Sequence, residues 1–587
     1  MKKRPAPAKK TLPKLEPLVK KFGAWLMGSS LPSIFLVCTY IIGRYLFNAD
    51  FSYPSEIVLN IVLFAFAIEL AFRLYKRLLR KFGMLATHIA TMLTSYQIYT
   101  FSTAFPRLAG TLRNFTPLHT PFSEAVVILL LSGLLFAGLA VGFVWLVRRF
   151  VADAELPLLK ILVFTVSFLF VSQLGKMSIQ IWKFRHELAY KQPALNLKQD
   201  PKKIASKPNI YYLVFDRYAS RETLEKVYKY DNSPTLDFLS SQGFYNRENA
   251  LSNYPFTMQS IGSTLRMDYH KDLHQKFKDS AQPFQAGFPY RSYLDNPPAI
   301  KELQKNGYTF NMVSSWWDFT RKNPIANAEP SQSYRLRILG KTFWASDLQR
   351  DIINKSALSP LLLKGFSIGD NAVIKYDLDR NFEQIFKNQV ETIQTIVTNT
   401  KNQKQPQVTF AHILLPHDPY LFMPDGSTVK YDGNRTDDGA DEYTKYRNQL
   451  IYANTQLEKI IAQIRSDDPN AVVLLQTDEG PYPKEFRGTQ TAKKYYTPLG
   501  LSGEGTKRKF GSFASYYLPG LSADETAAAM DSHVNAFRFV LSHYLGYDLP
   551  NLPDCHYAVG AKFNLFDYTD VTKQIDPAST ADCKQFL

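Results

Sequence analysis

Five side chains of this sequence combine a reactive type with a setting that could use it: Asp216, Thr257, His417, Asp478 and Glu479. Asp478 and Glu479 follow an apolar run, Ala471 to Leu475, and precede Gly480-Pro481. That is the pattern of a buried strand giving way to a loop. Adjacent carboxylates there are costly unless a cation meets them, so they read as metal ligands or as an Asp-Glu-Gly-Pro turn. Asp216 closes a second apolar run, Ile210–Phe215, as a ligand, a helix cap or a partner of Arg217. Thr257 offers a hydroxyl that a bound cation could turn into a nucleophile, with Ser260, Ser263 and Thr264 close by in sequence. His412 and His417 flank Ile-Leu-Leu-Pro. His412 lies within a strand pattern and reads as a core histidine, so His417 is preferred as the reactive member of the pair. Asp425-Gly426 reads as a turn.

The elements that must position these groups alternate between strand and helix. Strands are expected at Ile210–Phe215, Tyr308–Val313, Gln407–Leu415, Val472–Gln476 and Phe513–Leu518. Helices are expected at Ser233–Gln242, Phe256–Leu265, Ala299–Asn306, Phe382–Thr398, Tyr446–Ile464 and Ser532–Leu545. Such alternation implies an α/β domain with a mostly parallel sheet covered on both faces, whose strands carry ligands at their carboxyl ends. Ser314–Ile368, with Trp316-Trp317, fits the alternation poorly and reads as an insertion beside the site.

Before this domain lies a membrane region. Five apolar segments approach the roughly 20 residues a helix needs to cross a bilayer: Leu31–Phe47, Ile57–Tyr75, Met84–Phe105, Ala125–Val147 and Leu158–Ile181. The third carries His88, Gln97 and several hydroxyls, which pack against neighbours or serve function. The formal net charge is +17, but the basic excess sits at Met1–Lys21, Arg73–Lys81 and Arg148–Arg149, beside the apolar segments. This distribution points to membrane topology rather than nucleic acid. It puts the N-terminus in the cytoplasm and everything after Trp182 outside, with residues 1–182 a transmembrane bundle of about five helices, 183–207 a juxtamembrane linker and 208–587 an extracytoplasmic domain. The first apolar run reads as an uncleaved anchor. Three cysteines without a CxxC pattern argue against a structural zinc site, and Cys555 and Cys583 either pair in an oxidising compartment or stand as free thiols.

The order of these motifs resembles the alkaline phosphatase superfamily in its sulfatase-like membrane branch, which includes lipoteichoic acid synthases and lipid A phosphoethanolamine transferases. The resemblance rests on Pro208-Asn209-Ile210 to Asp216, on Thr257, on His417-Asp418-Pro419, and on Asp478-Glu479-Gly480 in place of Asp-His-Gly. Tyr517-Leu-Pro-Gly520 and Val534-Asn-Ala-Phe-Arg538 add to it. It implies a membrane-anchored, metal-dependent phosphotransferase or phosphodiesterase with Thr257 as nucleophile and His417 assisting. The implied metal set is Asp216, Thr257, Asp478 and Glu479. The implied donor is a membrane phospholipid and the acceptor an envelope glycan or glycolipid. Glu479 stands where the family has a histidine; a carboxylate there favours Mn²⁺ or Mg²⁺ over Zn²⁺, or marks an inactive envelope-binding protein. A plain phospho- or sulfo-ester hydrolase is the remaining alternative, and Thr257-Met-Gln-Ser lacks the oxidisable Cys or Ser context of sulfate-ester hydrolysis.

Overall fold

The structure is a computed structural model. It describes the whole chain except residues 1–15, 48–52, 114–120, 152, 280–286, 328–333, 339–340, 345, 358, 361, 363–365, 369–370, 379–381, 430–439, 482–502 and 560–564. Most of the basic N-terminus and most of the first loop between spans therefore lie outside the described residues. The chain divides into two compact units, Met1–Arg185 with Tyr334–Leu378, and His186–Ser333 with Asp379–Leu587.

In the first unit all five apolar segments are helical, as Leu31–Phe47, Glu56–Leu78, Gly83–Arg113, Pro121–Phe150 and Glu155–Lys183. Among the described residues, the second, fourth and fifth are long and apolar enough to cross a membrane. The first forms a pair bent by 80° with Val19–Met27. Their outward faces carry exposed Phe66, Leu134 and Phe164, which suits contact with lipid tails rather than water. Polar groups of Gly83–Arg113 and its neighbours bond inside the bundle: Thr94 Oγ1 lies 2.9 Å from the Tyr75 hydroxyl, Ser132 Oγ donates to Gln97 Oε1 at 2.7 Å, and His88 Nε2 lies 2.8 Å from the Met27 carbonyl. These contacts satisfy groups that hydrocarbon could not.

Tyr334–Leu378, which interrupts the α/β sequence, belongs to this membrane unit. It builds a four-stranded antiparallel sheet and a helix, Asp347–Asn354, started by a Ser346/Gln349 capping box. Leu348, Ile352 and Ala357 join a core cluster with Val37, Ile41, Ile57 and Ile98. Arg44 pairs with Asp351. Gln349 Nε2 donates to the Glu56 carbonyl at 2.6 Å, and Asn60 Nδ2 donates to the Gln349 carbonyl at 3.3 Å.

The second unit is built on a six-stranded sheet. Its strands are β1 (Ile210–Phe215), β2 (Tyr245–Leu251), β3 (Thr309–Val313), β4 (Gln407–Ile413), β5 (Val472–Gln476) and β6 (Gly511–Tyr517), in spatial order β2-β6-β5-β1-β4-β3. Strands β3, β4, β1 and β5 pair in parallel, and β6 runs antiparallel to both β5 and β2. Every residue of β1, β4 and β5 is buried, and β1 and β5 accordingly read as near-continuous apolar runs rather than alternating ones. Tyr211, Leu213 and Phe215 pack on helices Phe382–Asn399 and Glu442–Asp467. On the other face Tyr212 meets Phe410 and Phe537. Asp441 caps the long helix, its Oδ1 accepting from the Tyr443 and Thr444 N–H groups. Cys555 and Cys583 form a disulfide among Tyr254, Tyr269, Tyr557 and Tyr568, a bond suited to an oxidising compartment.

Candidate active site

The strand directions bring one edge of the sheet together. The carboxyl ends of β1, β4 and β5 carry Asp216, His412 and Thr477-Asp478-Glu479. The register aligns Val214 with both His412 and Gln476, so these ends are level. β6 is antiparallel, and its start therefore lies at the same edge, with Lys509 just before it. After β2, the chain turns through Ser252–Phe256 into the helix Thr257–Arg266, and Thr257 is its first residue. The N–H groups of that first turn and the helix dipole favour an anion at this point.

Asp216, His412 and Asp478 are all buried, and each offers one ligand atom within 4.8 Å of the others. His412 Nε2 lies 3.3 Å from Asp216 Oδ2, while its Nδ1 lies 2.9 Å from Thr320 Oγ1, which fixes the ring. Asp216 Oδ1, His412 Nε2 and Asp478 Oδ2 have no hydrogen-bond partner. Three buried, unsatisfied atoms of metal-ligand type facing one another fit a divalent cation. Burial pushes the Asp478 carboxyl well above the usual range, the Asp216 and Glu479 charges add to this, and a hydrogen bond with the Thr257 hydroxyl opposes it. Burial also raises Asp216, but the charges of His417, His412 and Arg217 outweigh it and hold that carboxyl below the usual range. One acid of the pair is thus kept ionised while the other resists ionisation, as expected of two buried carboxylates that interact.

Glu479, 2% exposed, is not a member of this group. Its Oε1 lies 3.0 Å from Arg217 Nε and its Oε2 2.9 Å from Lys509 Nζ. Arg217 Nη1 also meets Asp418 at 2.7 Å, and the Arg217 N–H donates to Asp478 Oδ1 at 3.2 Å. Arg217 has φ +60, a region most side chains avoid and one that concentrates at functional sites. Tyr446 holds it there by donating to the Arg217 carbonyl at 2.7 Å and accepting from the Ala219 N–H at 3.0 Å. His417 is half-buried, its Nδ1 meets the Asp418 carbonyl, and its ring packs edge-on against Trp316 with centroids 6.0 Å apart. Trp317 packs in the same manner on His412 at 5.8 Å.

Of the residues named from sequence, Asp216, Thr257 and Asp478 converge, His417 lies close enough for its charge to act on Asp216, and Glu479 is engaged with Arg217 and Lys509. His412 joins Asp216 and Asp478 although its sequence setting reads as core; its pairing beside Asp216 becomes visible only with the β1–β4 register. Lys509 carries no local signal, because an isolated lysine before a strand is commonplace.

The sulfatase family model matches residues 208–547. This chain belongs to the sulfatase family. Several solved structures resemble the sulfatase-family protein. The C-terminal periplasmic domain of EcEptC from Escherichia coli is 14% identical, with TM-score 0.38, covering 65% of this chain and 96% of that one. Lipooligosaccharide phosphoethanolamine transferase A (EptA) from Neisseria meningitidis, an integral membrane protein, is 13% identical, with TM-score 0.37, covering 90% and 96%. Lipoteichoic acid synthase LtaP from Listeria monocytogenes is 13% identical, with TM-score 0.33, covering 65% and 93%. No curated protein matches the sequence.

Proposed function

We propose that this protein is a membrane-anchored, metal-dependent phosphotransferase or phosphodiesterase working on the extracytoplasmic side, with Thr257 as nucleophile. The observation that carries the reading is the buried Asp216–His412–Asp478 group, whose ligand atoms lie within 4.8 Å of one another, with Thr257 at the N-terminus of its helix. Asp216, His412 and Asp478 would hold a divalent cation, which when bound supplies Lewis acidity that lowers the hydroxyl pKa and offsets phosphoryl charge. Thr257 Oγ gives up its proton to solvent and forms a bond to phosphorus as the bond from phosphorus to the ester oxygen of the donor breaks. His417 gives that oxygen its proton. An acceptor hydroxyl then attacks the phospho-threonine and passes its proton to His417, while the bond from phosphorus to Thr257 Oγ breaks and that oxygen takes a proton back from solvent. The N–H groups at the start of Thr257–Arg266 orient the phosphoryl oxygens.

The apolar helices of the first unit favour a phospholipid donor, and an envelope glycan or glycolipid is the matching acceptor. The test uses full-length protein in detergent, a chromogenic phosphodiester and a fluorescent phospholipid. Thr257→Ala should abolish turnover, and mass spectrometry should find a phosphoryl adduct on Thr257 of the unsubstituted protein. Full turnover in Thr257→Ala, or an adduct on Ser260 instead, refutes the assignment. Release of free headgroup alone, with no product on added glycan, favours a hydrolase.

A further inference from the structure

Asp216 and Asp478, the two acids of the metal group, are each followed by one member of the same ion pair, Arg217 and Glu479. Glu479 therefore has a cation beside each of its oxygens, Arg217 at 3.0 Å and Lys509 at 2.9 Å. Lys509 and Glu479 are buried, 5% and 2% exposed, while Arg217 is half-buried. Three features of the backbone fix the cluster. Arg217 takes φ +60, which directs its N–H to Asp478 and its guanidinium to Glu479. The Gly480 N–H donates to the Lys509 carbonyl at 2.8 Å. Lys509 Nζ in turn donates to the Gly480 carbonyl at 3.2 Å, closing a two-way link.

Charge matching separates the acids. Glu479 is balanced by Arg217 and Lys509, whereas Asp216 and Asp478 face each other and His412. If Glu479 turned onto a metal, Lys509 would be left as a buried ammonium with its nearest counter-charge removed, which is strongly unfavourable. We propose that Arg217, Glu479 and Lys509 form a positioning cluster that keeps Glu479 off the metal, so that His412 supplies the third protein ligand, and that the site takes one divalent cation. The cluster does not touch substrate. It ties the loop after β1 to the loop after β5 and so fixes the separation of Asp216 and Asp478. This rests on the metal-dependent reading above.

The experiment loads full-length protein in detergent with Mn²⁺ and measures metal content, affinity and the ¹⁴N signal of a coordinated imidazole by pulsed electron paramagnetic resonance. The expected result is one Mn²⁺ with a ¹⁴N signal. In Glu479→Gln the signal should persist, with affinity weakened about 10-fold through lost orientation, whereas His412→Gln should lose the signal and weaken affinity by more than about 100-fold. Circular dichroism checks folding. If Glu479→Gln fails to fold, Glu479→Gln combined with Lys509→Met removes one charge of each sign and takes its place. Absence of Mn²⁺ from the unsubstituted protein overturns the metal-dependent reading and this proposal together. Mn²⁺ bound in the unsubstituted protein but lost from the folded Glu479 variant, or a ¹⁴N signal that survives in His412→Gln, overturns this proposal alone.

Discussion

A single methyl group at Gly480 tests whether the Asp478-Glu479 loop and the approach to β6 are locked together. An ideal Cβ there would lie 2.1 Å from the Arg508 carbonyl oxygen, 2.6 Å from that of Gly511 and 2.9 Å from that of Lys509. All three are backbone atoms, so no side chain can swing aside. The closest is more than an ångström inside ordinary contact, and relief requires moving the Lys509 segment or the Asp478 loop. Overpacking costs about 1–3 kcal/mol in a core that can adjust. Here three rigid oxygens oppose the change, and Gly480→Ala should cost about 3 kcal/mol or more. A shift of about 1 Å at the site would lower turnover on the order of 100-fold. Gly480 is not in the left-handed region, so only space is at issue. The assay is thermal unfolding followed by intrinsic fluorescence, together with phosphodiester turnover. Gly503→Ala, where nothing lies within 4 Å, is the control and should change stability by less than about 0.5 kcal/mol. A Gly480→Ala protein with the midpoint and turnover of the control would refute the reasoning.

Other outcomes follow from the same structure. Removing divalent cations should lower the unfolding midpoint, because Asp216 and Asp478 then face each other unscreened. Asp478→Asn should raise the midpoint of the metal-free protein and remove its response to added cation; an unchanged response would count against the site. Replacing Cys555 and Cys583 by serine opens a loop with sequence separation 28 and should cost about 3–4 kcal/mol, measurable as a lower unfolding midpoint without reductant. Burial pushes His270 down to about 4, with the Gln259 carbonyl opposing and the Arg266 charge adding. A base with a lowered folded pKa gives stability that is present above about 6.5 and is lost as pH falls through the folded value. The loss attributable to His270 should reach about 3 kcal/mol near pH 4. Acid titration of His270→Phe should show a correspondingly shallower decline.

How much was legible depended on burial. β1 and β5 could be bounded to the residue, because strands covered on both faces must be apolar throughout. β2, Tyr-Asn-Arg-Glu-Asn-Ala-Leu, is a half-exposed edge strand and shows no such run. Asp216 and Asp478 could be named because each follows an apolar run, and Thr257 because of its place in the motif order of the resemblance. His412 could not be separated from a core residue, since the atoms that distinguish it belong to β1 and to Thr320. Glu479 was visible as the departure from Asp-His-Gly, but its neutralisation depends on Lys509, 30 positions further on and joined only by sheet pairing. The sequence shows a break in alternation at Ser314–Ile368 and suggests an insertion beside the site; Tyr334–Leu378 instead belongs to the membrane unit, through contacts with residues far earlier in the chain.

Those contacts bear on the order in which the protein is made. Arg44 waits for Asp351 across 307 residues, and Asn60 for the Gln349 carbonyl across 289. At about 5–20 residues per second, translation reaches these partners roughly 15–60 seconds after the helices themselves. Until then the bundle lacks Leu348 and Ile352 from its core and an acid for Arg44. The membrane unit is thus completed only after much of the sulfatase-family domain has been synthesised. Severing the chain at the linker would release two fragments, of which the N-terminal one is missing a piece of itself.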